Sequence, residues 1–156
     1  MKDLVIRKAK LKELKIVQDL NHELFIHDKK FDKTLDQNWS YKEGKNYFKK
    51  AIEEDHALCL VAEHEGEIVG YLAAFIYRFE SYLKIRRAEI ENMFVIKAFR
   101  GKGVGSELVK EYFKWCKDKN IKIGRVATFD RNTSALGFYG KMGFKIKGIK
   151  LEKNIS

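Results

Sequence analysis

Leu4-Val5-Ile6 is a short apolar run, and after it Leu11, Leu14, Val17, Asn21 and Leu24 recur at spacings of three and four. The first pattern predicts a strand and the second one stripe of an amphipathic helix, on which Asn21 is the only polar member. Between His27 and Asn38 the rhythm is lost. Ser40-Tyr41-Lys42-Glu43 then has the Ser-x-x-Glu spacing of a capping box, and Tyr47, Phe48, Ala51 and Ile52 mark a second helix to about Glu54. Ala57–Glu63 and Ile68–Phe79 are rich in β-branched, aromatic and aliphatic residues around His64-Glu65-Gly66-Glu67, which predicts a hairpin. Arg87–Ile96 reads as a further strand. A Gly-rich segment follows, and Val104, Leu108, Tyr112, Trp115 and Cys116 form one helical stripe. Ile121–Phe129 returns to strand character, Thr133–Met142 to helix and Phe144–Leu151 to strand. The order βααβββαβαβ, with no repeat, low-complexity tract or linker, predicts one mixed α/β domain over residues 1–156.

Composition narrows the classes. A chain of 156 residues suits one core, and with no proline its turns depend on Gly, Asn and Asp. Thirty-two basic against 22 acidic side chains give a formal charge of +10, which favours an anionic partner. The lysines are scattered, however, and no zinc-knuckle, RRM or helix-turn-helix signature accompanies them, so a nucleic acid is not the expected partner. Cys59 and Cys116 are the only cysteines and both sit in apolar patterns, which excludes a disulfide framework and fits a reducing cytoplasm. The N-terminus lacks an apolar signal core, and no run approaches the roughly 18 apolar residues of a membrane span, so neither export nor membrane insertion is expected.

Arg100-Gly101-Lys102-Gly103-Val104-Gly105-Ser106 lies between a predicted strand and a predicted helix. Backbone N–H groups and the helix dipole there suit an anion, and phosphate is the natural ligand. Glycine permits positive φ and close approach of the backbone to phosphate oxygens, while Arg100 and Lys102 add charge at the rim. A Walker A loop is excluded because Gly103 follows Lys102, and a dinucleotide fingerprint is weak because its third glycine would fall at Ser106.

The strand Asn-Met-Phe-Val followed by Arg-x-x-Gly-x-Gly opening such a helix resembles the pyrophosphate loop of the GNAT superfamily of acetyl-CoA-dependent acyltransferases. Asn132, Ala135, Phe138, Tyr139, Lys141, Gly143 and Phe144 resemble the segment that closes the cofactor site of that family. The resemblance is specific over residues 88–144. It implies a central, mostly antiparallel sheet with two splayed strands flanked by helices. Acetyl-CoA would serve as co-substrate, its arm beside Met93, Phe94 and Val95, its diphosphate on the 100–106 loop, and Asn132 bonded to the arm, although an Asn before Thr133 equally suits a cap of the following helix. An N–H from about Phe94 would polarise the thioester carbonyl. Tyr139 matches the acid position, and Glu89 matches the general base of the histone-acetylating branch. Glu91 shares a strand face with Glu89 by the period of two and is the second carboxylate candidate. The branch that modifies ribosomal protein N-termini has a Glu base where this chain has Ala127. The implied reaction is direct transfer of acetyl to a primary amine in a ternary complex.

Other chemistries find no support. The His22 to His27 stretch spaces its histidines five apart, about 140° out of line on a helix, so HExxH is not met and no metal is predicted. A Gly-x-Ser-x-Gly elbow is missing. Acidic and aromatic residues Asp28, Phe31, Asp32, Asp36, Trp39, Tyr41, Glu80 and Tyr82 are the expected acceptor walls, suited to a cationic amine or equally to a solvated loop. Besides the acetyltransferase, a catalytically silent acyl-CoA sensor and a basic nucleic-acid-binding module stay open, as does a homodimer.

Overall fold

The computed structural model describes residues 1–77 and 84–155. Five strands, β1 (Leu4–Lys8), β2 (Ala57–His64), β3 (Glu67–Ile76), β4 (Arg87–Val95) and β5 (Ile123–Val126), form one sheet in the order β1-β2-β3-β4-β5. Neighbours are antiparallel except β4 and β5, which are parallel. Helices α1 (Leu14–Asp28) and α2 (Glu43–Glu53) cover one face with Val17, Leu20, Phe48 and Ala51, while α3 (Val104–Asp118) covers the other with Val104, Leu108 and Tyr112. Strand β2 is buried on both faces, Leu58 and Leu60 toward α3 and Cys59 and Val61 toward α1 and α2. This explains its continuous rather than alternating apolar sequence. A fourth helix, α4 (Thr133–Lys141), starts on a cap in which Asn132 Oδ1 accepts from the Ala135 N–H at 3.1 Å.

One irregularity controls the central strand. Ala73 pairs with Asn92 and Ala74 with Ile90, so Glu91 is an extra residue with no partner on β3. The bulge reverses the parity of β4: Ala88 and Ile90 pack toward α3 before it, whereas after it Met93 and Val95 do so and Phe94 packs toward α1 and α2.

Two expected features do not form. Ser40 lies buried in a single 3₁₀ turn, Trp39–Tyr41, its carbonyl accepting from Gln18 Nε2 at 2.6 Å, and α2 begins at Glu43 without a side-chain cap. The 39–41 turn packs directly on Gly44, where a Cβ would meet the Trp39 carbonyl oxygen at 2.8 Å, so tertiary packing overrides the spacing rule. The Phe144–Leu151 segment has strand-like sequence but pairs with no strand among the described residues. Phe144 packs on Phe113 and Tyr139, while Ile146, Ile149 and Leu151 are 82–89% exposed. Gly148 shifts its apolar alternation from even to odd positions, so no single face is continuously apolar. Strand β5 is also shorter than the sequence suggests, and the part of the hairpin predicted beyond Tyr77 lies outside the described residues.

Arg7 on β1 ties the edge of the sheet to the first turn. Its guanidinium bonds Glu13 at 2.7 and 3.0 Å and also Glu63, and Glu13 accepts the Lys10 N–H at 2.7 Å. The Arg7 hydrogen bonds hold the Glu13 carboxyl at about 2, below its ordinary 4.5. A carboxyl with a lowered folded value stabilises the native state above its unfolded value and loses that contribution as pH falls toward the folded one. Stability should therefore decline between about pH 4.5 and pH 2. Glu13→Gln should flatten that part of the decline in thermal melts and cost roughly 1.5–3 kcal/mol at pH 7, the range for a charged hydrogen bond.

Candidate active site

Among the described residues β5 pairs with Arg87–Ile90, and this ladder ends at Ile90, where β5 itself ends at Val126. The direction of the groups on the opened edge follows from the ladder. The Ile96 N–H donates to the Val69 carbonyl of the β3 side at 3.0 Å, and alternate residues along a strand point their backbone groups the same way. Phe94 therefore bonds β3, and Met93 and Val95 present their N–H and C=O to the open edge. Consistently, the Val95 carbonyl accepts from Arg100 Nε at 2.7 Å, with that guanidinium 4.9 Å above the Phe94 ring. The expectation of an edge donor near Phe94 thus moves by one residue, to Met93 or Val95.

The edge leads to the start of α3. Gly101 and Gly103 have φ of +72° and +89°, conformations that residues with a Cβ rarely adopt. Gly103 is the N-cap, no side chain caps the helix, and its first backbone bond is Glu107 N–H to Gly103 C=O. The N–H groups of Val104, Gly105 and Ser106 consequently have no intrahelical acceptor and define a site for an anion. The Val104 side chain belongs to the core, so only its backbone faces this role. Gly105 packs under Phe138, where a Cβ would lie 3.3 Å from the ring. Lys102 Nζ sits 5.3 Å over the Phe99 ring at the rim, and Lys141 closes the last turn of α4.

Tyr139 lies largely buried between Phe138 and Phe144, ring centroids 5.0 and 5.5 Å away. Burial, and then the charge of Asp28, raises its phenol well above the ordinary tyrosine value. Asn132, expected to serve a cofactor arm, spends its Oδ1 on the α4 cap. Cys59 is buried in the core, which pushes its thiol up to about 12 and denies it the thiolate a covalent mechanism needs.

The two carboxylates have different surroundings. Glu89 pairs with Arg125 of β5 at 3.1 Å, and that guanidinium lies 5.2 Å over the Tyr77 ring. Glu91 accepts from two phenols, Tyr47 Oη to Oε2 and Tyr77 Oη to Oε1, each at 2.6 Å. Behind it, Asn92 Nδ2 donates to Tyr47 Oη at 2.7 Å, and Asn21 Nδ2 donates to Asn92 Oδ1 at 3.2 Å and to Tyr71 Oη at 2.9 Å. Burial foremost, and then the Glu91 carboxylate, raises both Tyr47 and Tyr77. Of this network the sequence marks Glu91, as a carboxylate candidate, and Asn21, fully buried on an otherwise apolar stripe.

The expected acceptor walls divide. Phe31 stacks on Phe129 at 5.6 Å, and its carbonyl accepts from Arg131 at 2.8 Å, which brings the end of α1 to the β5–α4 loop. Trp39 packs on Phe25 and Tyr47, and Asp28 sits beside His27. Asp32 is spent on Thr34, Asp36 on Asn38 and Lys42, and Tyr41 on Asp19. Glu80 and Tyr82 lie outside the described residues.

Comparison with known proteins agrees with this geometry. Residues 17–144 match the family model of the acetyltransferase (GNAT) family. The chain is 30% identical over 104 residues to an uncharacterized N-acetyltransferase of Archaeoglobus fulgidus, covering 67% of this chain and 71% of the relative. It is 35% identical over 123 residues to streptothricin acetyltransferase A of Bacillus subtilis, covering 71% and 68%. Its fold superposes on an aminoglycoside N-acetyltransferase in complex with CoA with a TM-score of 0.73, at 18% identity and covering 98% and 95% of the two chains. The chain belongs to the acetyltransferase (GNAT) family and is an acyltransferase. The family uses acetyl-CoA as co-substrate, and the residues present fit it: an uncapped glycine-lined helix start for the diphosphate and an unpaired strand edge for the amide-bearing arm.

Gly103→Val forces a branched side chain into a left-handed conformation beside the anion site. It should weaken CoA binding at least about tenfold in calorimetry while lowering the melting temperature of the free protein by only roughly 2–5 °C.

Proposed function

We propose that this protein transfers the acetyl group of acetyl-CoA to a primary amine by direct attack in a ternary complex. The observation that carries this reading is the open edge of β4 beyond Ile90, which runs toward the uncapped start of α3. The arm lies along Met93 and Val95, the diphosphate on the backbone of residues 101–106 with Arg100 and Lys102 at the rim, and Phe138 packs over the helix start. Acetyl-CoA, when bound, supplies the activated acyl group.

The chain's own residues then have three tasks. An edge N–H of Met93 or Val95 donates to the carbonyl oxygen as charge develops on it, a contribution of roughly 3–4 kcal/mol where comparable donors have been removed. An amine of pKa about 10 needs roughly 4 kcal/mol to reach its neutral form at pH 7, so a base is required. Glu89, oriented by Arg125, takes that proton through water. Tyr139 Oη, a phenol neutral at pH 7, gives a proton to the leaving thiolate.

Thiol release with a panel of primary amines tests the reaction. Turnover of at least one amine, with the N-acetyl product identified by mass, is the expected result. Tyr139→Phe should lower kcat by roughly a hundredfold, within the range for a positioned acid, and change the KM for acetyl-CoA much less. Equal losses in both would remove Tyr139 from the acid role.

A further inference from the structure

The carboxylate at the β4 bulge is held in a way that suits an anchor better than a base. Glu91 has both oxygens committed as acceptors, each 2.6 Å from a phenol that has only its own proton to give. Tyr47 in turn accepts from Asn92, and Asn92 from Asn21, so each bond in this line donates toward Glu91. No ion pair to Glu91 occurs among the described residues, whereas its neighbour Glu89 has Arg125. The phenols fix the carboxylate's position and leave its charge in place, because neither partner is ionised.

A fixed negative charge that shares Tyr77 with the Glu89–Arg125 pair has a definite electrostatic consequence. It stabilises any ammonium next to it, which would hinder the reacting nitrogen, since that nitrogen must lose its proton before it attacks. Its attraction is useful when the cation it holds stays charged throughout. The acceptor then carries a second positive centre besides the reacting amine. Aromatic rings line the same place: Tyr47 stands 5.0 Å from Phe75 and 5.2 Å from Trp39, a surface that receives methylene groups and cations alike.

Resting on the acetyl-transfer reading above, we infer that Tyr47 and Tyr77 are positioning residues that hold Glu91 as the docking anion for the second ammonium of a diamine or polyamine acceptor. The reacting amine is deprotonated elsewhere, and Glu91 exchanges no proton in the cycle. It selects the acceptor's far end.

The test compares acetylation of 1,4-diaminobutane and 1-aminobutane, which differ by one terminal ammonium. Wild-type protein should favour the diamine about tenfold or more in kcat/KM, the size of a partly screened charged hydrogen bond. Glu91→Gln should collapse that ratio to within about twofold, chiefly by raising KM for the diamine, and Tyr77→Phe should lower it part of the way. Three kinetic outcomes overturn the inference: equal use of both amines by wild type, a preference that survives Glu91→Gln, or an equal fall in kcat for both amines with KM unmoved. The last is the signature of a base. Should no amine in any panel be acetylated, the transfer reading itself fails. Calorimetric titration of 1,4-diaminobutane into CoA-loaded protein then still decides the docking role: binding about tenfold tighter in wild type than in Glu91→Gln supports it, and equal or undetectable binding in both overturns it.

Discussion

The site depends on one constraint, the failure of β4 to pair on both sides along its whole length. Up to Ile90 the strand is an ordinary interior member of the sheet, bonded to β3 and β5. At Glu91 an extra residue enters, the side chains change faces, and β5 no longer follows. Buried backbone groups demand partners, so an interior strand with one unpaired edge is costly unless something else completes it. In the proposed reading, an extended, amide-bearing molecule laid along that edge would supply the missing half of the ladder, as an added strand does. The same bulge turns Met93 and Val95 toward the α3 side and leaves Glu91 and Asn92 free to bond the helices above.

The two sides of the sheet consequently have separate duties. On the α3 side, Val104 and Tyr112 lock the helix into the core, with Tyr112 Oη donating to the Ala88 carbonyl at 2.9 Å, so the uncapped helix start is held rigidly beside the open edge. On the α1 and α2 side, polar side chains reach inward to β4 from both helices. Charge is distributed locally against the overall balance: the molecule is strongly basic, yet Glu89 and Glu91 stand two residues apart on β4, both beside Tyr77, and Asp28 acts on the Tyr139 phenol. Net charge describes solubility and long-range attraction, whereas the chemistry of a cleft follows from the few groups that line it.

Much of this was legible in the residues because particular amino acids are required by local geometry. The positive φ at positions 101 and 103 calls for glycine, so the loop announced itself. The stripes of α1 and α3 follow from the 3.6-residue period, and Tyr139 stands in a string whose spacing is distinctive. The polar network was not legible, because Tyr47 and Tyr77 lie 44 and 14 residues from Glu91 and meet it only through the tertiary fold. Parity along β4 was also hidden: a period of two assumes an unbroken ladder, and the bulge at Glu91 interrupts it. Where local rules misled, at Ser40 and at Phe144–Leu151, the reason lies in whether a partner is present. The serine spacing yielded to the packing of Trp39, and the final apolar alternation, shifted by Gly148, found no neighbouring strand among the described residues.

The line from Asn21 through Asn92 and Tyr47 has one more implication. Carboxamide nitrogens hold their protons permanently, so this sequence of bonds transmits orientation without conducting hydrogen ions. The buried interior of the domain is thereby joined to Glu91 by bonds that fix its direction, and no hydrogen ion travels along them.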